Sequence, residues 1–248
     1  MPPNKNPRPY RINIGCGATP TPEWSNFDNS LTVRLAGLPG LIETLAWTGL
    51  ASTEAVNFAR VARASHIRYA DAARRIPLPD ESAEVVYSSH MIEHLDPKRE
   101  VPKFLSEVRR ILLPGGLLRI AIPDLLRQAR RYLQTGDADE FIASLNVAGE
   151  TPRGTVSLVR YLLVGFRQHR WMYDASSFIR VVEANGFSEA REVPPGETMV
   201  SDPGALNLLE RAGESVYIEA RRAESPRASW VARDARPVAV GTGPSPPP

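Results

Sequence analysis

The sequence predicts an α/β fold: a doubly wound, mostly parallel seven-stranded sheet with helices on both faces. Three observations predict it. Short apolar runs alternate with longer amphipathic runs along most of the chain. A glycine pair, Gly15 and Gly17, follows the first apolar run directly. The amphipathic run ending at Leu113-Pro114-Gly115-Gly116 gives way at once to another apolar run. Such alternation implies parallel strands joined by helical crossovers. Ligands of such sheets sit at the carboxyl ends of the strands.

In chain order, residues 11–14 form a short apolar strand running into the glycine turn, and residues 24–28 a second strand. Residues 31–64 read as largely helical, with a break at Leu38-Pro39-Gly40. Residues 67–70 are a third strand. Residues 84–88 are a fourth, buried by their β-branched content. Residues 97–112 form an amphipathic helix with Phe104, Leu105, Val108, Ile111 and Leu112 on one face. Residues 117–122 are the fifth strand. Residues 125–134 and 156–166 read as helices inside a long insertion. Residues 175–185 are a helix stopped by Gly186, and residues 190–193 and 215–220 are the last strands.

The chain has 248 residues and 42% hydrophobic residues, enough for a real core in one large domain with tails. We expect residues 10–222 to be that domain. Residues 1–9 and 223–248, rich in proline, are expected to be disordered tails. The net charge of +2 is too small to argue for nucleic acid. All but three of the 30 basic residues are arginines, a composition bias that need not mean recognition. The single cysteine, Cys16, excludes an internal disulfide. The first ten residues lack the apolar core of a secretory signal, and no run is long and apolar enough to span a membrane. The expectation is a soluble cytoplasmic protein, monomer or homodimer.

The chemistry starts at Gly15-Cys16-Gly17. Glycines after a strand allow a tight turn and close approach to a ligand. A dinucleotide site wants a third glycine and an acid about 20 residues on. Here Pro20 stands where that glycine would fall, and Asp28 arrives much sooner. This argues against NAD and ATP and favours a ligand with a ribose but no pyrophosphate. Asp28 ends the second strand, where a carboxylate can accept from both ribose hydroxyls; the alternative is a solvated turn. Asp71, beside Ala72 after the third strand, is placed to accept from an adenine amino group, or to cap a helix.

The segments RINIGCGATPTPEWSNFDNS, DAARRIPLPDESAEVVYSSHMIEHL, FLSEVRRILLPGGLLRIAIPDL and EANGF together resemble the S-adenosylmethionine-dependent methyltransferases of the class I superfamily. Within it they resemble a bacterial subgroup associated with cell-surface glycan biosynthesis. The resemblance covers about residues 10–222. It implies a Rossmann-like methyltransferase fold. It also implies an S-adenosylmethionine site made by Gly15, Cys16, Gly17, Asp28, Asp71, Ala72, Ser88, Ser89 and His90. The chain departs from the common pattern in the missing third glycine, in Glu84 where relatives have Asp, and in the length of residues 31–64.

Methyl transfer needs an aligned acceptor and, for a hydroxyl, a base. The candidates are His94 after the fourth strand, Asp124 after the fifth, and His169 in a polar, aromatic run. Asp124 also reads as a helix cap, and the histidines as packing or surface groups. His90, Glu93 and His94 form a candidate divalent-ion cluster, but Glu-His pairs at helix starts are common without metal, so none is assigned. Residues 125–171 are expected to form a lid over a small-molecule or glycan acceptor, with Asp124 at the mouth and His169 reaching in. Its arginines, among them Arg127, Arg131 and Arg170, suit an anionic acceptor. Two readings compete: an inactive binding protein with this fold, and a nicotinamide oxidoreductase, which the spacing to Asp28 disfavours.

Overall fold

The computed structural model describes residues 9–38, 40–147 and 168–224. Expectations for residues 1–8, for the helix at 156–166 and for residues 225–248 lie outside the described residues.

Seven strands form one sheet: β1 (Tyr10–Ile14), β2 (Ser25–Asp28), β3 (Arg68–Tyr69), β4 (Ala83–Ser89), β5 (Leu112–Pro123), β6 (Phe187–Val193) and β7 (Ser215–Arg222). Their order is β3-β2-β1-β4-β5-β7-β6. The first five are parallel, while β7 runs antiparallel to both β5 and β6. The sheet is therefore mostly parallel, as expected.

Alternation along the central strands sorts side chains onto two faces. Val86 of β4 and Leu118, Ile120 and Ile122 of β5 join the main core. Helix α4 (Glu100–Ile111) adds Val101, Phe104, Leu105, Val108 and Ile111 to it, and α7 (Ala175–Ala184) adds Phe178 and Val182. Val85, Tyr87 and Leu117 face the other way, against Trp24, Val200 and Leu206. Central parallel strands need both faces covered, and these are.

The expected helix at 31–64 is three helices: α1 (Leu31–Ala36), α2 (Leu41–Trp47) and α3 (Thr53–Ala64). The break at Gly40 was legible, but the second, at Thr48–Ser52, was not. Ser52 caps α3 by accepting from Ala55 N, and such a cap looks like any serine in sequence. The three helices close a second core with Cys16 and Ile67. The Leu113–Gly116 turn also differs from expectation. β5 already pairs at Leu112 with Ala83, then jumps to Leu117 opposite Val85. Residues 113–116 thus loop out of a continuing strand. Helices α5 (Leu125–Thr135) and α6 (Ala138–Ser144) come after β5. They pack on each other, with the Tyr132 and Phe141 rings stacked at 5.0 Å, and bury no residue of their own.

Among the described residues, one ion pair is fully inside. Arg119 of β5 and Glu219 of β7 are both inaccessible to solvent and meet at 2.5 Å. Arg119 also donates to Glu197 O, and Glu219 accepts from Thr198 Oγ1 and Met199 N. The pair therefore ties the antiparallel edge to the segment covering the second face. Removing one partner strands a buried charge, which typically costs about 3–5 kcal/mol. Glu219→Ala should lower unfolding free energy by that amount in denaturant titration, while Glu214→Ala on the surface changes little.

Candidate active site

The carboxyl ends of β1, β2 and β4 open on one cavity of about 600 Å³. That is within the range of small-molecule sites. Each strand end delivers a different kind of group.

β1 delivers backbone. Gly15 N and Cys16 N both donate to Phe27 O, which pins the loop beside β2. Gly15 has φ +68, and a Cβ there would fall 2.6 Å from Met91 Cγ. Both the backbone conformation and the space exclude a side chain. Gly17 N donates to Asp28 Oδ2 at 3.1 Å.

β2 delivers a carboxylate. Asp28 lines the cavity, and its Oδ1 accepts from Ser30 N at 2.8 Å. A carboxylate offers about four acceptor positions. The two backbone N–H groups orient the group and leave capacity for a ligand's hydroxyls.

β4 delivers histidines. Ser88 is wholly buried and its Oγ has no hydrogen-bond partner. Ser89 ends the strand, and His90 follows with φ +47, a left-handed conformation rare outside glycine. His90 N donates to Ala121 O, and His90 Nε2 lies 2.6 Å from Ser215 Oγ. Strain of this kind collects at functional sites. A 3-10 turn (Ile92–His94) comes next and places Glu93 inside and His94 at the cavity wall.

Glu93 is 1% exposed, and neither carboxylate oxygen has a hydrogen-bond partner. Three histidines surround its Oε1: His90 Nδ1 at 3.4 Å, His169 Nε2 at 3.8 Å and His94 Nε2 at 4.0 Å. The His94 and His169 rings meet edge to face, 5.2 Å apart. Arg170 N and Trp171 N donate to Glu93 O, which docks the segment carrying His169. His94 Nδ1 lies 2.9 Å from Gln168 O, and His169 Nδ1 lies 3.2 Å from Met172 Sδ. A carbonyl only accepts, so in its neutral ring the His94 proton sits on Nδ1 and the Nε2 lone pair faces Glu93. The His169 ring has both the Met172 thioether and the Leu145 carbonyl beside it as acceptors. Burial holds the His169 imidazole below its ordinary pKa, although the Glu93 charge pulls it upward.

Of the residues singled out from sequence, Gly15, Gly17, Asp28, His90 and His94 line the cavity. His169 stands behind His94 on Glu93. The others go elsewhere. The Cys16 side chain is in the second core, where burial and the Asp28 charge push its thiol pKa up. Ala72 is in the main core, and Asp71 does not line the cavity. Asp71 accepts from Ala73 N and pairs with Arg74, so it serves its own turn. Asp124 caps α5 by accepting from Leu126 N and lies 3.8 Å from Arg127 Nε. It does not stand at this cavity's mouth. Of the arginines, Arg170 lines the cavity beside Glu100, while Arg131 pairs with Glu140. Sequence reasoning missed Phe58 of α3 and Met91 as walls. No spacing signal marks them, because only the tertiary fold brings α3 over the glycine loop.

Residues 48–120 match a family model described as a methyltransferase domain. The match runs from the end of α2 into β5 and is less than a third of the chain; the glycine loop and Asp28 precede it. No curated protein matches the chain. Among solved structures, a Thermotoga maritima S-adenosylmethionine-dependent methyltransferase, described as a possible histamine N-methyltransferase, is similar at 17% identity and TM-score 0.47. The alignment covers 88% of this chain and 84% of that one. A Methanosarcina mazei S-adenosylmethionine-dependent methyltransferase is similar at 16% identity and TM-score 0.45, over 89% and 95% of the two chains. A Streptomyces coelicolor geranyl diphosphate C-methyltransferase is similar at 13% identity and TM-score 0.41, over 88% and 73%. Likeness at this level carries no statement about acceptor or reaction, and none of these matches touches the glycan-associated subgroup. The seven-stranded sheet itself is a mostly parallel, Rossmann-like sheet.

The glycine loop yields a direct test. Gly15→Ala adds a methyl group against Met91 at a positive φ, so the loop must move. The variant should remain folded by circular dichroism yet lose at least about tenfold in affinity for the ligand of this cavity, about 1.4 kcal/mol. Unchanged affinity would separate Gly15 from the ligand.

Proposed function

We propose that this chain transfers the methyl group of S-adenosylmethionine to a hydroxyl oxygen of a small-molecule or glycan acceptor. One observation carries the reading. A single cavity gathers the glycine loop of β1, the Asp28 carboxylate of β2 and the histidines of β4. The methyltransferase-domain match over residues 48–120 supports the reaction class and its cofactor, S-adenosylmethionine.

The residues present fit that cofactor. Gly15 and Gly17 line the cavity without side chains of their own, so a ligand can approach their backbone closely. Asp28 keeps acceptor capacity for ribose hydroxyls beyond its two backbone bonds. Ser88 Oγ, buried and unpartnered, lies 4.0 Å from the position a Gly15 Cβ would take, so polar capacity remains behind the loop. When bound, the cofactor supplies an activated methyl group on a sulfonium.

The chain's own residues do the rest. Asp28 and the glycine loop hold the donor at one end of the cavity. His94, also in the cavity lining, is unprotonated at Nε2 in its neutral ring and takes the acceptor's proton. Glu93 stabilises the resulting imidazolium, and His169 packs against the same carboxylate. Methyl transfer to oxygen forms the C–O bond as the sulfur–methyl bond breaks. The bond pair stays on sulfur, and the proton leaves to imidazole.

Two measurements check this. The purified chain should bind S-adenosylmethionine in calorimetry, and Asp28→Ala should weaken binding by about 1–3 kcal/mol, the cost of leaving buried hydroxyls unpaired. Unchanged affinity in that variant removes Asp28 from the site. His94→Ala should leave cofactor affinity nearly intact. It should slow S-adenosylhomocysteine release with an accepting hydroxyl compound by about 100-fold or more. Cofactor binding without turnover on any acceptor would favour an inactive, binding role instead.

A further inference from the structure

The Glu93 cluster has an electrostatic problem that the methyl-transfer reading leaves unsolved. A carboxylate that is 1% exposed accepts no hydrogen bond. His94 Nε2, which faces it, is a lone-pair position in the neutral ring because its Nδ1 proton goes to Gln168 O. The His169 ring closes the third side of the same space. A buried carboxylate needs a partner, and a cation held between these groups would supply one.

We propose that Glu93, His94 and His169 bind a divalent transition-metal ion, zinc in the first instance. The donor atoms of the three side chains all lie within 4.8 Å of one another. Donors about 2.0–2.1 Å from a tetrahedral zinc ion stand about 3.3–3.4 Å apart, so the cluster closes by up to about 1.5 Å when the ion binds. Two imidazoles and one carboxylate are the donor types zinc accepts, and three protein ligands leave a position open. Each histidine also has the outer contact that metal ligands usually show. His94 donates its second ring proton to a backbone carbonyl, and His169 points its own at the Met172 thioether. The backbone bonds from Arg170 and Trp171 to Glu93 O hold the two halves of the site together. His90 Nδ1, 3.4 Å from the same carboxylate oxygen, is a neighbour that tunes the site.

Binding of the ion does not depend on the methyl-transfer reading; only its use does. His94 lines the cavity, so the ion would border it. There it would replace His94 as the group that eases loss of the acceptor's proton: its charge would acidify a bound hydroxyl, and the proton would leave to solvent water. In the metal-free chain His94 keeps the role of base.

The test is binding itself. The full chain, stripped with chelator, is titrated with zinc sulfate in calorimetry. The expected result is about one equivalent of zinc at micromolar affinity or tighter. His169→Ala and His94→Ala should each lose at least about tenfold in affinity. His66→Ala should lose nothing, since His66 is the remaining histidine and is exposed. Folding of each variant is checked by circular dichroism. In the unaltered chain, the ring-nitrogen NMR signals of His94 and His169 should move with zinc while that of His66 stays. Absence of zinc binding, unmoved His94 and His169 signals, or undiminished affinity in the His169 and His94 variants overturns the proposal. In that case the cation in the cluster is a proton on imidazole. Cofactor binding measured on the same samples tests the methyl-transfer reading separately.

Discussion

Everything at the site depends on the parallel pairing of β2, β1, β4 and β5 through the centre of the sheet. Parallel strands joined by crossovers all end at the same edge. Their side chains are buried on both faces, so variation is confined to the loops that begin at the strand ends. β1 and β4 pair in register up to Ile14 and Ser88, which brings Gly15 and the β4 end side by side. β2 pairs with β1 up to Phe27, so Asp28 arrives beside Gly17. The cavity is the consequence of that register, and a one-residue slip of β1 would turn its loop away.

A second constraint acts at right angles to the first. Glu93 is carried inward by the short turn after β4, where no backbone N–H reaches its carboxylate. The carboxylate is almost wholly buried, and the groups nearest to it are histidine rings. His169 comes from a segment more than seventy residues downstream and is docked through the Glu93 carbonyl. The same residue thus fixes the backbone of that segment and sets the electrostatics of the site. Three of the chain's four histidines are gathered around it.

The glycine loop and Asp28 were legible because their roles follow from position at a strand end and from residue type. Asp71 and Asp124 had the same kind of position and went to local work: one carboxylate serves a turn and an arginine, the other caps α5. Asp28 too accepts from backbone N–H groups, so strand-end position and local bonds do not separate these outcomes; which carboxylate borders the cavity is decided by the packing around it. Cys16 failed differently. It sits between two useful glycines, but alternation turns its side chain into the second core. The second break in residues 31–64 was hidden because a serine cap and a short loop leave no strong breaker in the sequence.

By itself, the sequence determined the alternation of strands and helices, and hence a mostly parallel sheet with its ligand edge. Periodicity and glycine placement are local properties of the chain, and local properties survive in one dimension. Only the tertiary structure decided which polar groups share a space. Phe58 and Arg170 reach the cavity, Asp71 and Asp124 do not, and His169 meets His94 across Glu93. Those meetings depend on how distant segments pack. Packing is decided by summed burial over both faces of the sheet, a sum that no short stretch of residues contains.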